Sequence, residues 1–556
     1  MQATTLRGEG LGQAVSRHSA QHPHTRISDS PKRNLRRSIC LPAFFAAALL
    51  MSACTLGPNY TKPEKDVPIE WIDIDAPRVN SKPADLADWW TVFNDPVLNS
   101  MVDMAYNQNL TLRVAGLRIL EARAQLGISL GSRWPQLQQL NGNAVRNRIS
   151  KNDPGSKLAE TRFDTAELTF DLQWEFDFWG RFRRAIESAS AQLDASIADY
   201  DDVMVALAAE VARSYIAIRT FEERIALAEQ NTVVQARALR IAEVRFRNGA
   251  VTELDVTQAK TILNNTEAAI PDLKTGLRQA KNALSVLLGL APQDLGNLLK
   301  GPAPIPSAPA TVSAGVPAEL LRRRPDIRRA ERLLAAQSGQ IGVAITDLYP
   351  RFSLVGSVGF RTSDVSATSK TMDSNFGKLL DSDSLTGFLG PFFSWNILNY
   401  GRIKNNIRVQ DARFQQLLVN YRNIVLTALA ETENAIVAYL NAHDRVKFLN
   451  AAATSAQRSV QLSLIQYREG ATDFNRVLTT LEQQVLQQDR WTVTNGDIAT
   501  SLVATYKALG GGWQVRGERT IDDFVPKIDQ QDLLERTKYW RKVLPAATPA
   551  SAEQKQ

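Results

Sequence analysis

The chain has 556 residues, of which 44% are hydrophobic and 22% are charged, and its formal net charge is +7. Its two cysteines and four histidines are too few for a zinc-ribbon, iron–sulfur or disulfide-stapled protein, so we expect neither a metal site nor a cofactor. A mean hydropathy of -0.22 argues against a polytopic helical membrane protein.

The positive charge is concentrated at the amino terminus. Residues 1–53 carry seven basic and two acidic side chains, so the rest of the chain is close to neutral. A cluster of basic residues on the body of a protein is the usual sign of nucleic-acid binding. The remainder of this sequence lacks such an excess, and we expect no nucleic-acid partner.

The amino terminus also has the layout of a bacterial secretion signal. The basic run Lys32–Arg37 precedes the apolar run Ile39–Met51, and two small residues then lead to Cys54. This order is typical of a signal peptide, and the apolar run is too short to span a bilayer. Because the cysteine resembles that of a bacterial lipobox, we predict a signal peptide over 1–53, lipidation of Cys54 and an outer-membrane location. A plain signal peptide with an incidental cysteine is the alternative.

The mature part of the sequence repeats itself. The segment Trp174–Arg181 matches Trp395–Arg402 at an offset of about 221 residues. Further upstream, Trp134–Pro135 matches Tyr349–Pro350 at an offset of about 215 residues. A collinear series of matches with one small slip indicates an internal duplication.

Both halves have the same order of predicted elements. Each begins with a helix that ends at a proline, continues with strand-forming sequence up to a Gly-Arg pair, and finishes with two long helices separated by a glycine turn. The predicted segments after the signal peptide are a lipidated segment with the first helix (54–135), a first β-hairpin (136–180), a first long helical hairpin (181–295), a linker (296–324), a helix (325–350), a second β-hairpin (351–400), a second long helical hairpin (401–511) and a carboxyl-terminal extension (512–556) whose end we expect to be disordered.

The most regular strand pattern lies in the first half. From Ala166 to Phe176, apolar residues alternate with polar or charged ones over about eleven residues, which predicts a strand with one apolar and one polar face. Tilted strands of ~9–11 residues can cross a bilayer. In the second half, Phe352–Phe360 also alternates, whereas Leu385–Ile397 alternates poorly. A soluble sheet with one hydrated face is the alternative interpretation.

Each half also contains an unusually long helical pattern. The stretches 184–245 and 403–466 contain almost no proline or glycine and are rich in alanine, leucine, glutamate and glutamine. Helices of ~60 residues are rods of about 90 Å, which need neighbours along their whole length. We expect the returning helices, about 252–289 and 473–510, to pack antiparallel on these rods as long hairpins.

Four strands per chain cannot close a barrel. An open strand edge in lipid leaves backbone N–H and C=O groups unpaired at several kcal/mol each, and the smallest bacterial single-chain barrels have about eight strands. The chain therefore shares a barrel with copies of itself, or it does not cross the membrane. Three copies would supply twelve strands.

Four sets of residues carry a resemblance to a known family. They are Cys54–Pro63, Asp88–Trp90, Arg323–Ile327 and the two Gly-Arg pairs that begin at Gly180 and Gly401. On these motifs the sequence resembles the TolC-like outer-membrane efflux factors, in the lipoprotein (NodT-like) branch that serves RND-type pumps.

The resemblance implies a mainly α-helical fold with a membrane β-barrel portion. In that family the chain forms a homotrimer in which four strands per chain build a shared twelve-stranded barrel, and long antiparallel α-hairpins form a periplasmic α-barrel. The implied partners are a periplasmic adaptor (a membrane fusion protein), an inner-membrane RND transporter and the lipid of the outer membrane. The implied function is a passive exit duct for small molecules, which is not an enzyme. A tunnel for type I protein secretion is the alternative within this class.

The two glycine turns are candidate contact sites. Arg247 and Gly249 lie in the first turn, and Arg468 and Gly470 lie in the second. Glycine suits a helix end that needs a positive φ, and arginine suits the negative end of the helix dipole. The resemblance adds that Arg-x-Gly tips of this kind meet the hairpins of the adaptor.

The resemblance also implies a pore constriction just past the second turn. Relatives narrow the pore there with a leucine and an aspartate ring, whereas this chain has Asn475 and Thr479 at the corresponding positions. Asp255, Asp473 and Arg476 are the other candidate constriction residues, and a hydrated helix surface is the alternative interpretation of all five.

Two other classes of function are less consistent with the sequence. An enzymatic lipoprotein would need a catalytic set, and the sequence contains no Gly-x-Ser-x-Gly, Walker or HExxH motif. A periplasmic coiled-coil scaffold without a pore would not need the strand alternation around Phe170.

Overall fold

The computed structural model describes residues 55–63, 67–80, 82, 85–152, 161–363, 376–517 and 521–544. The predicted signal peptide and Cys54 lie outside the described residues. The end of the chain beyond residue 544, which we predict to be disordered, lies outside them as well.

The first repeat begins with two consecutive helices. Helix α1 (Pro96–Gln108) starts after Asp95, whose carboxylate accepts two hydrogen bonds from backbone N–H groups of the first turn. Helix α2 (Leu110–Gly131) starts after Asn109, whose side-chain oxygen accepts a similar bond at 2.9 Å. Caps of this kind satisfy N–H groups that the first turn of a helix leaves unpaired, so local sequence fixes where each helix starts.

Each repeat carries the same pair of long helices. In the first repeat, α3 (Arg181–Arg247) has 67 residues and α4 (Glu253–Leu287) has 35. The second repeat opens with α5 (Pro325–Thr346), the counterpart of α2, and continues with α6 (Arg402–Arg468) of 67 residues and α7 (Phe474–Ala508) of 35. A 67-residue helix is about 100 Å long. The prediction of a mainly α-helical fold with long antiparallel hairpins is confirmed.

Four long strands form one antiparallel sheet. They are β1 (Leu137–Arg148), β2 (Arg162–Glu175), β3 (Arg351–Ser363) and β4 (Leu385–Ser394). The order in the sheet is β1-β2-β3-β4, so β2 and β3 join the two repeats. Strands β1 and β4 are the two edges, and their outer sides pair with no other strand in the part of the chain that the structure describes.

The sheet has one apolar face and one mainly polar face. Most cross-strand pairs in β1, β2 and β3 place apolar side chains beside apolar ones or polar beside polar, although Gln138 pairs with Leu172 and Gln173 with Val355. The weak alternation of β4 has a structural counterpart, because Phe388 is paired with Ser357 on the polar face. One apolar row contains Leu140, Phe170 and Val358, and the polar row beside it contains Gln139, Asp171 and Ser357.

The main core lies where the helices of both repeats meet. The ring of Trp89 is buried and stacks on Tyr506, with 5.4 Å between the ring centroids. Nearby, the carboxylate of Asp201 is fully buried and accepts hydrogen bonds from Arg328 and, at 2.7 Å, from Arg516. A buried carboxylate needs such partners, and these tie α3 to α5 and to the segment after α7.

The remaining elements are short. A two-stranded parallel pair joins Val79–Asn80 to Val312–Ser313, and short helices at Gly296–Leu299 and Pro317–Arg323 lie between the repeats. Helix α8 (Lys527–Arg536) packs near α2. No helix within the described ranges combines the length and the apolar character that a membrane span needs.

Candidate functional site at the hairpin tips

Both helical hairpins turn in the same way at their tips. Gly249 follows α3 with a φ of 70°, and Gly470 follows α6 with a φ of 80°. In each tip the N–H of the alanine after the glycine donates to the carbonyl oxygen of the residue five positions earlier, at 2.9 Å and 2.8 Å. This Schellman arrangement satisfies carbonyl groups at the helix end and requires a left-handed residue, which is why glycine occupies both positions.

The two predicted contact arginines lie at the exposed ends of the hairpins. Arg247 is the last residue of α3 and has no ion pair among the residues that the structure describes. Arg468 is the last residue of α6, its side chain is 57% exposed, and it pairs with the adjacent Glu469 at 2.9 Å. The negative end of the helix dipole stabilises both positively charged guanidinium groups. Both groups remain accessible to a partner.

A cluster of three residues ties the second tip to the first. The buried Tyr467 donates a hydrogen bond from its hydroxyl to Oδ2 of Asp255 at 2.9 Å. The Arg245 guanidinium lies over the Tyr467 ring, 4.7 Å from its centroid, and donates to the Tyr467 carbonyl oxygen. Burial and the Asp255 carboxylate raise the pKa of Tyr467. Asp255 and Arg245 belong to the first hairpin and Tyr467 to the second, so the cluster holds the two hairpins together.

Sequence reasoning named Asp255 as a constriction candidate but missed Tyr467 and Arg245. The available signal was a difference between the repeats. The counterpart of Tyr467 in the first tip is Phe246, which has no hydroxyl and is exposed. A hydroxyl gained at one of two equivalent positions indicates a hydrogen bond made by only one repeat.

The remaining constriction candidates occupy the start of α7. Asp473 caps this helix, because its carboxylate accepts a hydrogen bond from the N–H of Arg476 at 3.1 Å. Asn475, Arg476 and Thr479 are exposed, and the Thr479 hydroxyl donates to the carbonyl oxygen of Asn475. Asn475 and Thr479 are one helical turn apart and lie on the same side of α7, opposite the buried Val477.

Above the tips the two hairpins meet through a layer of buried amides. Asn231 of α3 donates to Gln488 at 3.0 Å and accepts from Gln484 at 3.2 Å, both on α7. Gln235 lies one turn further along α3 and is buried, but neither polar atom of its side chain has a hydrogen-bond partner in the described part of the chain. The contact between the hairpins therefore contains polar groups both at the tips and above them.

At the other end of the helices, the first described residues bind at the junction of sheet and helices. The N–H of Leu56 donates to the carbonyl oxygen of Trp179 at 3.1 Å. The buried Arg184 guanidinium donates to the carbonyl oxygens of Leu56 and Gly57, at 3.0 Å and 3.2 Å, and to the Asn59 side chain at 2.7 Å. These bonds fix the start of the described chain close to the sheet.

The comparisons with known proteins agree with this architecture. The chain is 31% identical over 441 residues to Nodulation protein T of Rhizobium leguminosarum bv. trifolii, and the aligned region covers 79% of this chain and 89% of the relative. It is also 30% identical over 481 residues to outer membrane protein OprJ of Pseudomonas aeruginosa, and this alignment covers 85% of this chain and 96% of OprJ. A solved structure of the outer-membrane channel OprN superimposes with a TM-score of 0.75 at 32% identity, over 83% of this chain and 100% of that chain.

A family model for outer membrane efflux proteins matches residues 101–290 and 316–511, one block for each repeat. The predicted resemblance, the function as an outer-membrane efflux channel and the outer-membrane location are confirmed, because the matching family consists of outer membrane efflux proteins and the superimposed structure is an outer-membrane channel. The chain belongs to the outer membrane efflux protein family.

Proposed function

We propose that three copies of this chain form one continuous tube, which serves as the exit duct of a tripartite efflux system. Small molecules pass outward through it, and the energy comes from an inner-membrane RND-type transporter coupled through a periplasmic adaptor. The protein itself carries out no chemistry. Its role is to seal a water-filled path and to control the periplasmic opening.

The observation that carries this proposal is the open four-stranded sheet with one apolar face. In lipid, the free edges of β1 and β4 would leave rows of backbone groups unpaired at several kcal/mol each. Pairing β4 of one copy with β1 of the next satisfies both edges, and three copies close a twelve-stranded barrel. The apolar row that contains Phe170 would then face lipid and the polar row that contains Asp171 would face water.

The helical hairpins give the duct its reach. Each long helix is about 100 Å, so the tips lie far from the sheet, where a periplasmic adaptor is accessible. We propose that Arg247, Gly249, Arg468 and Gly470 form the adaptor contact. The support is the exposure of both arginines at the ends of the hairpins and the rigid turn that each glycine permits.

We propose further that the tip region sets the width of the closed duct. Asn475, Arg476 and Thr479 are exposed on α7 and supply polar groups for a constriction. Asp255 contributes through its hydrogen bond to Tyr467, and Asp473 contributes by capping α7.

Lipidation of Cys54 is part of the same proposal. Thr55, the residue after it, lies against Gly180 at the lower end of the sheet, and a Cβ atom on Gly180 would meet the Thr55 side chain at 2.6 Å. An acyl chain on Cys54 would therefore start beside the membrane-facing sheet. More than one acyl chain makes anchoring stable, and mass spectrometry of the amino-terminal peptide, compared with Cys54→Ser, tests this point.

The test of the duct combines assembly, conductance and function. The full-length protein in detergent is expected to run as a trimer by native mass spectrometry and to form discrete channels in planar bilayers. Expression in a strain that lacks its own outer-membrane channel, together with a periplasmic adaptor and an RND-type transporter, is expected to restore drug resistance. A monomer without conductance would contradict the proposal. Restored protein secretion with type I partners, without drug resistance, would favour the secretion tunnel.

A further inference from the structure

The two repeats make the same contact within themselves at the base of the sheet. The indole N–H of Trp174 donates to the carbonyl oxygen of Arg133 at 3.1 Å. The indole N–H of Trp395, its counterpart in the second repeat, donates to the carbonyl oxygen of Leu348 at 2.9 Å. Arg133 and Leu348 both stand two residues before the repeated proline. At the base of the sheet, the two repeats of the sequence therefore form the same local structure.

A second contact joins the first repeat to the second. Trp179, which precedes the first Gly-Arg pair, donates from its indole N–H to the carbonyl oxygen of Pro350 at 2.8 Å. Its ring lies 4.8 Å from that of Tyr349, with 35° between the planes. In the same junction the N–H of Phe176 donates to the carbonyl oxygen of Phe352 at 2.9 Å. The end of β2 and the start of β3 are thus joined by aromatic packing and two hydrogen bonds.

The corresponding contact from the second repeat to the first is missing within the chain. Tyr400 precedes the second Gly-Arg pair as Trp179 precedes the first, and Trp134 precedes the first repeated proline as Tyr349 precedes the second. Tyr400 is 96% exposed and Trp134 is 69% exposed. They flank β4 and β1, which are opposite edges of the sheet, so the two rings cannot meet in one copy.

The backbone at Tyr400 also indicates an absent partner. Tyr400 has a φ of 48°, and it is one of three described residues other than glycine with a positive φ. A bulky residue rarely adopts this conformation without surrounding structure to hold it. Among the residues that the structure describes, none covers its ring.

We propose that Tyr400 of one copy packs on Trp134 of the next copy, around a closed ring. The inference rests on the trimer of the proposed function and names the surface through which neighbouring copies meet below the barrel. Like Trp179, its counterpart, Tyr400 has an aromatic ring that can pack on a neighbouring ring. Its hydroxyl can donate a hydrogen bond to the carbonyl oxygen of Pro135, as the indole N–H of Trp179 does to that of Pro350. Ile397 and Leu137, the counterparts of Phe176 and Phe352, are exposed beside the two rings and complete an apolar contact.

The junction between copies has a different charge from the junction within the chain. Within the chain, Arg181 lies 3.8 Å from Glu175 and 3.6 Å from Asp347. The counterparts of these carboxylates are Asn396 and Ser132. The contact between copies therefore depends on ring packing and apolar burial rather than on ion pairs, and we expect it to persist at high salt because screening weakens only the charged contacts.

Cysteine cross-linking of the full chain in membranes tests the contact. Beyond residue 53 the chain has no cysteine other than Cys54, so introduced thiols have little background. A Trp134→Cys, Tyr400→Cys double variant treated with a short thiol-specific cross-linker is expected to give dimer-sized and trimer-sized bands that neither single variant gives. An Ile397→Cys, Leu137→Cys pair provides an independent test in case the first pair fails to assemble.

Two control pairs calibrate the result. Trp179→Cys with Tyr349→Cys should cross-link within one chain, without larger bands, because these rings already pack together. Tyr539→Cys with Trp134→Cys should not cross-link, although Tyr539 is also exposed. An intact trimer in which neither test pair cross-links would overturn this inference and leave the duct in place. Loss of the trimer from the wild-type protein would instead overturn the proposed function, and this inference with it.

Discussion

The hydroxyl of Tyr467 donates a hydrogen bond over 2.9 Å to Oδ2 of Asp255, and this bond connects the second helical hairpin to the first. Because burial and the neighbouring carboxylate raise the pKa of Tyr467, the hydroxyl remains a donor throughout the physiological pH range. The ring itself packs on Phe474, with 5.3 Å between the centroids. The ring lies in an apolar core that both hairpins share, and the Arg245 guanidinium of the first hairpin lies over it.

The substitution Tyr467→Phe removes that hydroxyl and keeps the ring. A hydrogen bond to a charged group contributes about 1.5–3 kcal/mol, and since Asp255 is half-buried and can recover water, we expect a loss of about 1–2 kcal/mol. Such a loss raises the population of separated tips roughly 5- to 30-fold. Higher conductance in planar bilayers and greater uptake of bulky antibiotics are the expected readouts.

A double-mutant cycle distinguishes this bond from general loosening of the tip. Asp255→Ala should have a similar effect, and the double variant should add little, because both substitutions remove the same contact. Phe246→Tyr, which places a hydroxyl at the equivalent position of the first repeat, should leave conductance unchanged. Additive effects in the double variant would argue against the direct bond.

Arg468→Ala tests the proposed adaptor contact. The side chain is largely exposed and, among the described residues, forms an ion pair with the adjacent Glu469 alone, so its removal should change stability by no more than about 0.5 kcal/mol. We expect weaker capture of the adaptor and greater drug susceptibility, with an unchanged amount of trimer. Arg490→Ala is the matched control, because Arg490 is also an exposed arginine but lies on α7, away from the tip. Equal susceptibility of wild type and Arg468→Ala would remove this residue from the proposed contact.

Sequence patterns predicted the elements of this fold better than the contacts between them. The lack of proline and glycine in α3 and α6 and the glycine turns after them are local features, so the long hairpins could be predicted from the sequence. The duplication allowed the order of elements in the second repeat to be predicted from the first. This mattered for β4, because its weak alternation of apolar and polar residues does not by itself predict a strand.

Contacts between distant segments were beyond such patterns. The bond between Tyr467 and Asp255 joins residues 212 positions apart, and the bonds from Arg184 to Leu56 and Gly57 join residues 128 and 127 positions apart. Their formation depends on how helices are positioned against one another, and periodicity within one helix does not specify that. A comparison of the repeats recovers part of this information, because a residue that differs between equivalent positions points to a contact made only once.

Gln235→Leu should stabilise the protein. The side chain of Gln235 on α3 is buried with both polar atoms unpartnered among the described residues, and an unpaired buried polar group costs about 1–3 kcal/mol. Leucine has a similar size and no polar atoms, so we expect a gain of that order and a higher midpoint of thermal unfolding in detergent. Asn231→Leu should lower the midpoint, because it removes the partner of Gln484 and Gln488. A loss of stability in Gln235→Leu would mean that ordered water occupies this site.

Asp202 provides a pH-dependent test of the region where α3 meets α5. Burial, followed by repulsion from Asp326, raises the pKa of Asp202 to about 6, although Arg324 and Arg329 oppose the shift. The unfolded chain has an ordinary carboxyl pKa of about 3.9. Between these two values the folded state binds more protons than the unfolded state, so this carboxyl lowers the stability as pH rises through that window.

Asp202→Asn should therefore stabilise the protein by about 1–3 kcal/mol at pH 7.5, and the gain should disappear near pH 4. At the higher pH the wild-type carboxylate is ionised at a cost that the amide avoids, whereas at the lower pH both side chains are neutral. Thermal unfolding of the detergent-solubilised protein across this pH range is the measurement. Asp411→Asn, at an exposed position of α6, should show no such pH dependence. An equal gain at both pH values would mean that packing, and not ionisation of Asp202, causes the effect.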